Sequence, residues 1–361
     1  MKRFTVICAA IIMLFAFAGS AMALEWGFYG SARMSTFWND KDEESPAYGD
    51  LLAGDDDGTT WDLQSNARIG ADVKSDTIGG RFEFAVNDET GVTTRRLYGT
   101  WNFGAGELLV GQEYTPVTIL YSNQVWGNDE DLLNTGAAYD ARRPMVQFRF
   151  GGFKLALIET NTTDISGNAS IIDKDVTIPK VAASFNLKTN VFFADLFGGF
   201  NTYKAVVDDD KAYDVNAYVG GLGFGFNAGP VFMKASGYYA VNAGAYGLSQ
   251  WGTKTIYYNA VDDDIEDNES YGGMAVLGFK AGDKATVEVG GGYLKQEVDF
   301  TGTKIEDETF SYYGNVSLKF APGVTIVPEA GVLDYSDIDK NDVSTDQGSL
   351  FYAGIKWQID F

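Results

Sequence analysis

The chain has 361 residues, 50 Asp and Glu against 27 Lys and Arg, a formal charge of −23, 43 glycines, one cysteine and no histidine. Without histidine the usual serine, cysteine and zinc hydrolase schemes lack their base or ligand. The acidic balance argues against nucleic acid as a partner, because phosphate binding needs clustered Lys and Arg.

The first segment is an export signal by its pattern. Met1-Lys2-Arg3 is positive, Phe4 to Ala18 is apolar, and Ala21-Met22-Ala23 fits a small-residue cleavage site. We therefore expect residues 1–23 to be removed and 24–361 to form the mature chain. Cys8 as a lipid-bearing cysteine is the alternative, but the apolar core continues past it. Beyond Ala23 no stretch approaches the roughly 18 to 20 apolar residues of a membrane helix.

Alternation with period 2 recurs instead. From Trp26 to Trp38 the even positions include Trp26, Phe28, Met34 and Trp38, and the odd ones include Ser31, Arg33 and Ser35. From Trp61 to Val73 the odd positions are mostly apolar and the even ones include Asp62, Gln64, Asn66 and Arg68. Each such run reads as a strand with one apolar and one polar face. In chain order the runs lie near 25–38, 60–73, 79–88, 93–103, 106–115, 142–151, 152–160 and 176–188. They continue near 190–202, 212–226, 229–242, 270–281, 284–298, 308–320, 323–334 and 348–361.

The joints alternate between short turns and long connections such as 39–59, 116–141, 161–175 and 243–269; only 89–92 breaks the rule. Antiparallel neighbours put alternate joints at opposite ends of a sheet, so this pattern describes a transmembrane antiparallel β-barrel of about 16 strands, an all-β fold. A periplasmic β-sandwich is the competing reading. Against it stand the charges on the polar faces (Arg33, Arg68, Arg81, Glu83, Arg96, Lys180, Lys234, Lys319) and tryptophans near strand ends (Trp26, Trp38, Trp61, Trp101, Trp357). Pro328 falls inside a run, which calls for a bulge there or a different boundary. Gly221-Leu-Gly223-Phe-Gly225 reads as a small-residue strand face rather than a dinucleotide loop, and Gly290-Gly291-Gly292 as a bend or bulge.

The stretch Gly106 to Pro116, the long segment to Ala141 and Arg142-Arg143-Pro144-Met145-Val146-Gln147-Phe148 carry a resemblance to the Gram-negative general porins. In them it is similar to the fifth strand, third loop and sixth strand of that trimeric, sixteen-stranded family. The resemblance implies an inward-folded third loop at 116–141 with Asp129, Glu130 and Asp131 as its acidic side. Strand parity points Arg33, Arg68, Arg81, Arg96 and Arg143 into the lumen as the opposing basic wall. Arg95 has the opposite parity and is placed at the rim, and Arg149 lies close to the turn near Gly151.

The expected function is a passive channel for ions and small hydrophilic solutes in the Gram-negative outer membrane, with no enzymatic activity and no cofactor. A substrate-specific channel or an adhesive surface barrel is the alternative. A sugar pore would need a file of lumenal aromatics, and the inward-parity Tyr29, Tyr98, Tyr218, Tyr238 and Tyr313 are scattered. The implied partners are membrane lipids including lipopolysaccharide, the barrel-assembly machinery through a C-terminal strand ending in Phe361, and two further copies in a homotrimer. The short joint at 89–92 departs from the subunit-latching second loop of many family members. Asp55-Asp56-Asp57, Asp208-Asp209-Asp210 and Asp262-Asp263-Asp264 read as solvated loop acids, with Asp55 to Asp57 the weak metal candidate.

Overall fold

The computed structural model describes residues 24–42, 58–87, 91–162, 173–208, 211–252, 256–259, 263–300, 302–341 and 343–361. The signal segment 1–23 and Asp55, Asp56 and Asp57 lie outside them, as do Asp209, Asp210 and Asp262. Among the described residues no helix is long and apolar enough to cross a membrane.

Besides short strands in the long connections (Asp173–Asp175, Tyr257–Asn259, Asp264–Glu266, Asp337–Lys340 and Val343–Asp346), the strands of the wall are β1 (Glu25–Lys41), β2 in two pieces (Gly58–Leu63 and Arg68–Lys74), β3 (Ile78–Asn87), β4 (Gly91–Asn102), β5 (Glu107–Tyr114) and β6 (Arg142–Phe150). Then come β7 (Phe153–Ile158), β8 (Lys180–Lys188), β9 (Phe192–Asp208), β10 (Lys211–Ala228) and β11 (Val231–Val241). The last five are β12 (Asn268–Ala281), β13 (Ala285–Phe300), β14 (Thr303–Ala321), β15 (Val324–Asp334) and β16 (Ser349–Asp360). Each pairs antiparallel with its sequence neighbours. β1 pairs β16 from Ser31↔Asp360 to Lys41↔Leu350, so the sheet closes on itself. Phe361 completes the seam: Gly30 N–H donates to its carbonyl at 2.7 Å and its own N–H returns to Gly30 O at 3.0 Å. Closure satisfies the backbone of every strand internally, which a chain crossing hydrocarbon requires.

The two faces follow the alternation. Phe28, Leu97, Val110, Leu222, Leu277 and Val289 remain exposed on the outside, as do the five end-of-strand tryptophans. An apolar belt of this extent on a soluble domain would drive association, whereas lipid stabilises it. The inner face mixes polar, charged and small residues with buried apolar and aromatic ones such as Phe37, Leu109, Phe197, Leu350 and Tyr352, which pack where inner segments cover the wall.

Four expectations need correction. β2 is not continuous: the consecutive polar residues Gln64, Ser65 and Asn66 form a turn between its two pieces, closed by Ala67 N–H to Gln64 O at 2.8 Å. Pro328 causes no bulge: β15 keeps its ladder with β16 through Pro328↔Ile355, and only its pairing with β14 lapses at 327–328. Proline has no N–H to give, so the local loss of pairing absorbs it. Gly290 to Gly292 keep regular pairing on both sides; a Cβ on Gly292 would stand 1.9 Å from Thr135 O, so this glycine clears space for the 115–141 segment. Tyr218 faces outward, where it packs beside Tyr239, because β10 presents its odd positions inward.

The inward glycines of β10 serve the same end. A Cβ on Gly221 would meet the Phe197 ring at 2.4 Å and one on Gly223 the Tyr121 hydroxyl at 2.4 Å. Small residues on this strand therefore leave room for aromatic ones from β9 and from the segment 115–141.

Candidate functional site

Residues 115–141, between β5 and β6, make contacts around most of the wall. Tyr121 hydroxyl donates to Asp195 Oδ2 on β9 at 2.5 Å, and Lys234 Nζ on β11 donates to Tyr121 O at 2.6 Å. Asn123 gives its backbone and side-chain N–H groups to Glu288 on β13 at 2.8 and 2.7 Å. The backbone N–H groups of Val125 and Trp126 converge on the Glu329 carboxylate of β15 at 2.7 and 2.8 Å. Trp126 then stacks on Tyr352 of β16 with ring centroids 5.0 Å apart. Carboxylates aimed at backbone donors, together with this stack, fix a segment whose own secondary structure is limited to short turns, among them Trp126–Asp129 and 131–136.

The tip of the segment is strained. Asp129, Asp131 and Leu132 have φ of 62°, 51° and 57°, left-handed values that cost a non-glycine residue about 1 kcal/mol or more. Leu132 is held there by its N–H bond to Gln124 Oε1 at 2.9 Å. The conformation delivers three acidic residues to one cavity.

Asp129 is the most heavily bonded of them. Its Oδ2 accepts from Arg33 Nη1 at 2.8 Å, Lys356 Nζ at 2.7 Å and Asn66 Nδ2 at 2.7 Å, and its Oδ1 from Gln64 Nε2 at 3.1 Å. Although burial opposes ionisation, Lys356 and Arg33 outweigh it and hold the carboxyl below its ordinary pKa. Glu130 accepts from Asn134 Nδ2 at 2.7 Å. Burial, reinforced by the Asp129 charge, raises the pKa of Asp131 well above the usual carboxylate value, and that of Glu130 is also raised.

These acids face a cavity of about 400 Å³ that Arg33, Arg68, Arg95 and Arg142 also line. Arg68 Nη1 is 3.7 Å from Glu83, and Arg95 Nε donates to the same carboxylate at 2.9 Å. Arg95 corrects the rim assignment: it is 9% exposed and inward. The β3–β4 ladder shifts register between Glu83 and Phe84, pairing Glu83 with Arg96 and Phe84 with Thr94. A bulge of this kind lets two successive residues share one face, which simple parity cannot anticipate.

The other arginines go elsewhere. Arg96 pairs with Glu113 and, with Arg149 and Lys154, lines a second cavity of about 390 Å³ on the side of the short turn at 151–152. Arg81 pairs with Asp72 on the neighbouring strand. Arg143 turns toward Asp140 at 3.6 Å and the Gly247 carbonyl at 3.3 Å.

That last contact belongs to a second segment the alternation did not reveal. After β11, residues 242–252 lie against the first segment: Ser249 N–H donates to Tyr139 O at 2.9 Å and Trp251 N–H to Asn134 O at 3.1 Å. Lys180, fully buried at the start of β8, joins both by donating to Asp140 Oδ1 and Tyr246 O, each at 2.6 Å, with the Tyr246 ring 3.9 Å from its ammonium. Lys356 and Arg142 were likewise missed; parity along β16 marks Lys356 as inward, while Arg142 stands where the strand begins.

The fold is that of the sixteen-stranded outer-membrane porins of Gram-negative bacteria. The outer membrane channel DcaP of Acinetobacter baumannii superposes with a TM-score of 0.72 at 17% identity, covering 95% of this chain and 99% of that one. The anion-selective porin from Comamonas acidovorans gives 0.56 at 14% identity, over 94% and 100% of the two chains. OmpT of Vibrio cholerae in its trimer form gives 0.57 at 16% identity, over 94% and 100%. No family model matches the sequence, and no curated protein does.

Proposed function

We propose that this chain is an outer-membrane porin, a passive water-filled channel for ions and small hydrophilic solutes, exported by the signal segment 1–23 and performing no chemistry. The observation that carries the reading is the charged cavity lined by Asp129, Glu130 and Asp131 and by Arg68, Arg95 and Arg142, with Arg33 bonded directly to Asp129, inside a closed barrel with an apolar exterior. In this reading 115–141 is the constriction loop, and opposed charges across a narrow aqueous gap favour polar solutes over apolar ones. Arg81, Arg96 and Arg143 contribute to the field at a distance from the Asp129 pair.

A homotrimer is supported by the trimer form of OmpT and would be seen as heat-modifiable mobility on gels. Lipopolysaccharide and other membrane lipids fit the apolar belt and its tryptophans, and Phe361 at the seam fits a signal read by the barrel-assembly machinery. Packing of 242–252 onto the constriction favours, as a second reading, a narrower and more substrate-specific channel.

Single-channel recording in planar bilayers tests the proposal. Ohmic steps that enlarge when 119–138 is shortened support it; folded protein that gives no steps overturns it.

A further inference from the structure

Among the described residues Tyr114 and Leu120 line both the cavity near Asp129 and the one near Arg149, so a solute moving between the two passes them. Leu120 keeps 44% of its surface exposed, while its neighbours Ile119 and Tyr121 are buried. An aliphatic side chain thus faces the water-filled route at its junction. Beside it the Tyr114 ring carries two guanidinium groups, Arg142 at 5.2 Å and Arg96 at 5.7 Å.

The cations near this junction are unequal. Arg96 is paired with Glu113, Arg149 with Glu107, and Arg33 with Asp129, which Lys356 shares. Arg142, on one side of the junction, has no carboxylate in ion-pair range among the described residues; its polar contact is the Tyr114 hydroxyl at 3.4 Å. Lys154, on the other side, also has no ion pair among the described residues. Two cations without a direct ion pair therefore flank an apolar and aromatic neck.

We propose that Tyr114 and Leu120 determine specificity, favouring organic anions with a flat or apolar body, which Arg142 receives on one side and Lys154 on the other. This rests on the pore reading and names its solute class. A small hydrated ion or a polyol must keep its water at the neck, where Leu120 offers no hydrogen bond in exchange. An aryl carboxylate loses little there: its ring meets Leu120 and Tyr114, and its carboxylate finds a guanidinium without displacing another acid.

Reversal potentials in planar bilayers, with potassium benzoate opposed to potassium acetate, test the neck. The wild type should pass benzoate at least about threefold better than acetate, the scale of one modest apolar contact. Leu120→Ser should bring the ratio close to one and Leu120→Met should keep it. Arg142→Gln should lower permeation of both anions relative to potassium. A wild-type ratio at or below one, or a ratio unchanged in Leu120→Ser with steps intact, overturns the neck proposal while leaving the pore. Absence of steps in the folded wild type overturns the pore and the neck together. Heat-modifiable mobility identifies misfolded variants, and Leu120→Asn replaces Leu120→Ser if the latter does not fold, with the same outcomes.

Discussion

Asp129 accepts a hydrogen bond from Lys356 at 2.7 Å although 227 residues separate them in the chain. The bond ties a connection between the fifth and sixth strands to the last strand, and Arg33 of the first strand shares the same oxygen. One carboxylate thereby bridges two cations contributed from either side of the barrel seam.

Replacing Asp129 by Asn leaves both cations without their shared acid. The expected result is a shift of the reversal potential in a KCl gradient toward anion preference, with larger conductance as the tip loosens. Single-channel recording of Asp129→Asn beside the wild type reads both.

The acidic residues at the tip of the 115–141 segment should titrate in two opposite senses. Asp131 and Glu130 bind protons more tightly in the folded chain than unfolded, so their contribution to stability is greatest below the ordinary carboxyl range and is lost as pH rises through their raised values. Asp129 behaves conversely, stabilising above its ordinary value and losing that contribution as pH falls through its depressed one. Lowering the pH from neutrality should therefore protonate Asp131 before ordinary carboxylates and raise anion preference while the Asp129 bonds persist. Asp131→Asn should flatten the pH profile of the reversal potential in that window.

Glu329 is predicted to anchor the segment. Glu329→Leu removes the acceptor of two buried backbone N–H groups, each of which costs about 1 to 3 kcal/mol when left unmade. Thermal unfolding in detergent should show the loss, and conductance should become noisy. Glu329→Gln, which keeps one carbonyl acceptor, should lose less.

Lys180 and Asp140 form a fully buried pair 2.6 Å apart where the two inner segments meet. Lys180→Met should destabilise the barrel by about 3 to 5 kcal/mol, because it strands a buried carboxylate. Adding Asp140→Asn should recover part of that loss in denaturant unfolding. Recovery equal to zero would mean that Arg143 already compensates Asp140.

Clearance at Gly292 offers a purely steric test. A methyl group there has no room beside Thr135 O, so Gly292→Ala should push the segment from β13 and change the conductance step, with the barrel intact by heat-modifiable mobility.

Much of this architecture was legible in the order of residues. Alternation placed the strands because each must show one face to an apolar medium and one to a wet interior, and that demand is local, repeating every second residue. The same rule marked Arg33 and Arg68 as inward. It failed where the period slipped: at Arg95, because a bulge changes the count, and at Gln64 to Asn66, where a turn interrupts a strand. Gly292 was misread because its reason lies in a carbonyl of Thr135, remote in sequence.

By itself, then, the sequence determined a closed barrel of alternating strands and which side chains could face its interior. Only the tertiary structure decided which of those charges meet. Asp129 finds Arg33 and Lys356, Arg143 turns to Asp140, and Arg142 is left without an acid among the described residues, because these choices depend on where two irregular segments settle. Their path is fixed by distant carboxylates, glycine clearances and one buried lysine rather than by any local period. The net charge of −23 describes the chain as a whole, whereas the guanidinium groups beside the Tyr114 ring are a product of folding alone.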